Sequence, residues 1–141
     1  MGAVVIEPSL ALQTAINTRL TTTPAVIALV AADQIRTGSM RREQLPSVIM
    51  EGSQTEYLGY NAGRQYSARV WVDLHIWALD AGGDLAKAIG FALHGALLAP
   101  LDMVDCAIDF FEANNVRWLR DPDPDFAHGV LNVEAVIRWR L

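Results

Sequence analysis

The chain has 141 residues and a mass of 15.4 kDa, the usual size of one domain, and no linker-like stretch divides it. Apolar residues make up 52% and charged residues 19%, which argues against disorder; scaling for this mass gives ~7,200 Å² of accessible surface folded against ~22,300 Å² unfolded, enough burial for a core without staples. Eleven basic and sixteen acidic residues leave a net charge of −5, so broad attraction to nucleic acid or anionic lipid is excluded. A single cysteine, Cys106, rules out an internal disulfide and any multi-thiolate metal site.

In chain order, Met1 to Pro8 lacks the basic flank of a signal peptide, and Ile6 stands where a myristoylation signal after Met1-Gly2 wants Ser or Thr. Ser9 is expected to cap a helix running to Leu20, with Leu12, Ile16 and Leu20 on one stripe. Thr21-Thr22-Thr23 ends it, and Thr23-Pro24 opens a short helix, Pro24 to Ala31. Asp33 to Pro46 reads as a polar loop holding Arg36, Arg41 and Arg42, with a short strand at its start. Ser47 to Glu51 reads as a strand. Gly52 to Ser67 follows without a sustained period, either as a long functional loop or as a two-stranded extension.

Arg69 to Leu79 alternates cleanly, with Val70, Val72, Leu74 and Ile76 on one face and Trp71, Asp73, His75 and Trp77 on the other. Gly82-Gly83 breaks this strand, and Asp84 is expected to cap a helix to Leu98. Gly90 and Gly95 inside that helix predict close approach to Ala11 and Ala15 of the first helix. The apolar run Ala88 to Leu101 holds His94 and falls short of the ~20 residues that span a bilayer. A soluble protein made in a reducing compartment is the expectation. Val104 to Glu112 is read as a strand with Val104, Cys106, Ile108 and Phe110 facing the core, and Asn114-Asn115 as a hairpin into Val116 to Arg120. Asp121-Pro-Asp-Pro-Asp125 is a rigid stop before a last strand, Gly129 to Arg140. The expected fold is an α+β two-layer domain. Its mainly antiparallel sheet has about four to five strands, with two main helices packed on one face.

The second faces of the long strands mix Trp71, Trp77 and Phe111 with Asp73, Asp109, Glu134, Arg138 and Arg140. A solvated sheet face should be polar throughout, whereas interfaces concentrate aromatics and Arg. Two readings stand here: an association surface, or a face covered within the monomer by the 52–67 stretch or the first helix.

Chemical motifs are weak. Asp121-x-Asp123-x-Asp125 lacks the Gly and Glu of a calcium loop, Phe126 and Asn132 standing in their places. His75, His94 and His128 show no ligand spacing, and no nucleophile elbow or phosphate-binding loop occurs. Cys106 is expected to act as a small hydrophobe. No catalytic residue, metal or cofactor is indicated, and nothing makes a positive case for an enzyme.

Four stretches carry a resemblance: Leu10 to Leu20, Leu45 to Glu51, Arg69 to Leu98, and Arg117-Trp-Leu-Arg-Asp-Pro-Asp123 leading to His128-Gly-Val-Leu131. Together they resemble a family of tail-completion proteins, the tail terminators of long-tailed bacteriophages and gene transfer agents; the doubled Pro-Asp departs from the family's commoner turn. The resemblance implies a homohexameric ring that terminates the tail tube and joins it to the head. Its implied partners are further copies of itself, the tail tube protein and a head completion (stopper) protein. DNA would pass through without specific binding, and no membrane is involved. The implied location is the host cytoplasm during assembly, then the head–tail junction of the particle. The rivals are a head-side connector of the same particle and a soluble small-ligand-binding regulatory module. Tyr57, Tyr60 and Arg64 are the candidates for contact with tube or neighbour, and Trp71, Trp77 and Arg138 for subunit contact on the sheet face. Trp118, Arg120 and Asp121 are expected to fix the turn.

Overall fold

Strict alternation along β3 (Gln65–Leu79) decides the architecture, because it makes one sheet face apolar and leaves the other polar and aromatic. The computed structural model describes residues 7–80 and 83–140, so the expectations for Met1, Gly2, Ile6 and Gly82 lie outside the described residues. The other elements are helix α1 (Pro8–Thr21), helix α2 (Pro24–Ile27), β1 (Ile35–Arg36), β2 (Ser47–Asn61), helix α3 (Asp84–Ala96), β4 (Ala107–Leu119) and β5 (Phe126–Arg140). The five strands form one sheet in the order β1-β2-β3-β5-β4, and all neighbours except β1 and β2 pair antiparallel. This is the expected α+β arrangement.

Val70, Val72, Leu74 and Ile76 of β3 and Leu131, Val133, Ala135 and Ile137 of β5 form the sheet side of the core. Leu12, Ile16 and Leu20 of α1 and Ile89 and Leu93 of α3 cover them. Each of these side chains is at most 1% exposed. Fully burying one such side chain contributes roughly 1.5–3 kcal/mol, so this two-layer sandwich holds the fold. Arg19 ties the two main helices together by donating to the carbonyls of Ala96, Ala99 and Pro100 at 2.9, 3.0 and 2.6 Å.

Several local expectations need correction. Glu7, not Ser9, caps α1: its carboxylate accepts from the Ser9 and Leu10 backbone at 3.2 and 3.0 Å and from the Ser9 hydroxyl. Helix α2 stops at Ile27, four residues short of Ala31. Asp84 caps nothing; Gly83 (φ 76°) precedes α3, and Asp80 reaches forward to accept from the Leu85 backbone at 2.6 Å.

Larger corrections concern the strands. Of the two readings of Gly52 to Ser67 the two-stranded extension holds and the loop does not: the stretch is the distal half of a β2–β3 hairpin, turning at Gly63 and Arg64, both with positive φ. Asn114-Asn115 makes no hairpin, because β4 runs unbroken and absorbs an extra residue between Glu112 and Asn115. His94 Nδ1 bonds the Ala113 carbonyl at that bulge, 2.9 Å away. A second bulge between Ile108 and Phe110 reverses the expected faces, so Phe111 packs on the core while Phe110 is exposed. Val104 precedes the strand and is 67% exposed.

Gly90 is covered by Trp118 and Ile76, not by Ala11 and Ala15, and the space where a side chain at Gly95 would stand is open. A methyl group at Gly129 would stand 2.5 Å from the Trp118 ring, so the indole of β4 fills the space that two glycines leave between α3 and β5.

Candidate assembly surfaces

Among the described residues, three surfaces remain unburied after the core is built: most of the outer sheet face, the distal hairpin and the solvent side of the helices. The outer face presents, across β2, β3 and β5, the rows Glu51/Asp73/Asn132, Gln54/Trp71/Glu134 and Glu56/Arg69/Val136, whereas in the row Ile49/His75/Val130 both aliphatic side chains are buried. Neither proposed internal cover lies on it. The 52–67 stretch extends the sheet, and α1 packs on the opposite face.

Within that face the side chains pair with one another. Arg69 meets Glu134 at 3.2 Å and lies over the Phe110 ring, and Asn132 donates to Asp73 at 2.8 Å. Arg138 Nε reaches both Asp109 oxygens at 3.2 and 3.0 Å. Hydrogen bonds and charge from Asp109 raise the Arg138 pKa further. Trp71 is half-buried beside Glu134 and Gln54. With Phe110 it is one of two large aromatic groups set among the charged side chains of this face.

At the opposite end from the hairpin tip, Trp77 stacks on His128 with centroids 3.7 Å apart and meets Phe126 edge-on. His128 Nε2 and His75 Nδ1 lie 3.0 Å apart and share one hydrogen. Burial, then the neighbouring His75, pushes the His128 pKa down to about 4. Glu51 lies 3.3 Å from His75 Nε2 but out of hydrogen-bond alignment, so that contact is electrostatic only. Arg42 closes this end, bonding Asp123 at 3.0 Å and lying over Phe126. Trp77 is thus engaged within the chain, whereas Trp71 is not stacked on any described ring.

The distal hairpin carries the other candidates. Tyr57 and Tyr60 pair with Ala68 and Tyr66, so both point to the helix side of the sheet, yet they are 68% and 62% exposed. Tyr66 meets Tyr60 edge-on and stacks on Trp139. Arg64 is exposed at the tip. The structure separates Trp118, Arg120 and Asp121: Trp118 fills the α3–β5 gap, and Arg120 is exposed. Asp121 accepts from the Asp123 backbone at 2.9 Å, and Asp123 in turn from Asp125 at 3.0 Å, which winds the turn.

The helix side went unremarked in the sequence although its signal is plain: residues 8–18, 20–32 and 88–101 contain no Asp, Glu, Lys or Arg. Its solvent side accordingly exposes Leu10 at 56%, Phe91 at 81% and Leu98 at 71%. An ordinary surface helix is polar there. Among the described residues no cluster of three or more His, Cys, Asp or Glu could hold a metal, and no helix is long and apolar enough to cross a membrane.

A family model described as tail completion protein gp17 matches residues 14–138. A chain of the solved structure "Virion of native gene transfer agent (GTA) particle" superposes with a TM-score of 0.72 at 18% identity, over 91% of this chain and 95% of that one. At that identity the likeness speaks to the fold. None of the curated proteins matches.

Proposed function

The chain belongs to the tail completion protein gp17 family, and from that premise we propose that it is a structural protein that closes as a six-membered ring on the head-proximal end of a tail tube. The ring stops further tube subunits from adding and offers its other side to the head's completion proteins. The role is assembly without catalysis.

The observation that carries this reading is a sheet with helices on one face only, whose bare face mixes Trp71 and Phe110 with both signs of charge. A monomer gains nothing from leaving aromatic side chains there, whereas an assembled subunit does. Ring closure needs two unlike patches on each subunit, and the outer face, the hairpin and the helix side supply unlike surfaces. Six chains at −5 each bring about −30 to the ring, and acids facing a bore would repel DNA phosphates and let the genome slide.

Co-assembly with purified tail tubes tests the reading. Ring density on one tube end and tubes that no longer elongate are the expected results. Binding to purified heads with indifference to tubes would instead assign the chain to the head-side connector.

A further inference from the structure

The sheet is much longer than the helices that cover it. The 15 residues of β2 span ~50 Å, whereas the 14 residues of α1 span ~21 Å. Helix α1 begins over Gly52, where a methyl group would meet Gln13 and Ser9. Past that point Tyr57, Leu58 and Tyr60 stand bare on a hairpin arm. At the ~200 Å² an aromatic side chain buries, the two tyrosines leave roughly 260 Å² of ring surface uncovered, about a third of the ~800 Å² per partner in a stable interface.

A matching concavity lies elsewhere on the same chain. Between α1 and the segment after α3 runs a groove of about 420 Å³, lined by Ala11, Thr14, Ala15, Thr18, Leu101 and Val104. The same lining includes two charged residues, Arg19, which donates to three carbonyls, and the exposed Asp102. The tip run Tyr57 to Gly63 is likewise free of charge. An arm without charge brings no ion of its own to be desolvated against this mostly uncharged lining, whereas the outer face carries the pairs Arg69–Glu134 and Arg138–Asp109.

We propose that the arm of one copy, led by Tyr60, docks into the α1 groove of the next copy. Convex arm and concave groove are different patches on each chain, so the contact is head-to-tail and repeats around a closed ring. The neighbour's helices thereby supply the cover that the chain's own helices are too short to give. This proposal rests on the ring reading above.

The test places cysteines across the contact in a Cys106→Ser background. Tyr60→Cys is combined in turn with Thr14→Cys, Thr18→Cys or Thr22→Cys, which sample the exposed stripe of α1, and assemblies formed alone or with tube protein are oxidised. At least one pair should give a ladder rising to six chains on a non-reducing gel, one that collapses on reduction, while each single-cysteine variant stays at the one-chain position. Rings that form in solution without any ladder overturn the arm contact and leave the ring standing. A cross-link from Cys at position 60 to tube protein also overturns it, by giving the arm a different occupant. No assembly under any condition removes the ring reading and this contact together. Tyr60→Asp is the second check: assembly should fall at least tenfold while the circular dichroism of the single chain is unchanged.

Discussion

The two halves of the β2–β3 hairpin are built from the same pair of strands and behave oppositely. In the proximal half, Val70 to Ala78 alternate under α1 and α3, and every inward side chain is fully buried. In the distal half the same ladder continues, but Tyr57, Leu58 and Tyr60 face solvent. Backbone pairing is therefore independent of helix cover here: the first half stabilises the fold, and the second is free to meet another molecule.

The comparison breaks most sharply at Leu74. Leu74→Ala removes a fully buried side chain and should cost about 3 kcal/mol in urea denaturation, whereas Tyr60→Ala should cost under ~0.5 kcal/mol. Equal costs would show that the arm belongs to the core. Next, Gly129→Ala forces a methyl against the Trp118 ring and should destabilise by roughly 1–3 kcal/mol. Trp118→Leu in the same chain should recover part of that loss.

A smaller effect is expected on the outer face, where Trp71→Asp should weaken assembly about tenfold, as loss of an interface aromatic does, and leave the melting temperature of the single chain nearly unchanged. The histidine end responds to pH. His128 has its folded pKa lowered to about 4 from 6.5, so the neutral form is the one the fold favours. Its contribution is complete above pH ~6.5 and is lost as pH falls toward 4. Melting temperature measured across that window should drop with acid, and His128→Asn should flatten the slope. Least of all, Arg42→Ala breaks an exposed ion pair with Asp123 and should leave the melting temperature nearly unchanged, since solvent screens such pairs.

The legible parts of the fold were those with one uninterrupted period. β3 and β5 pair for fifteen residues without a bulge, and their alternation gave the core side correctly. The arm was legible only as one of two alternatives, loop or two-stranded extension, because β2 carries register shifts between Gly52 and Gln54 and between Tyr57 and Gly59; each extra residue moves the pattern to the opposite face and erases the period. The same mechanism hid the true faces of Phe110 and Phe111 and made Asn114-Asn115 resemble a turn. Glu7 was missed as a cap because Glu is not among the residue types usual at that position, and Asp80 because it acts from three residues before the N-cap Gly83. Of the candidate contact residues, Tyr57 and Tyr60 stand bare, while Trp77 and Arg138 already hold partners within the chain. The charge-free runs of the helices were readable from the start, but only the structure shows that their solvent sides share one surface.

Mass in solution, taken with and without tube protein, tests the central claim most directly. The account predicts a closed species of six chains, about 92 kDa from six times 15.4 kDa, formed by the pure protein or on tube ends. A species that stays at 15.4 kDa at high concentration and ignores tube protein would contradict it.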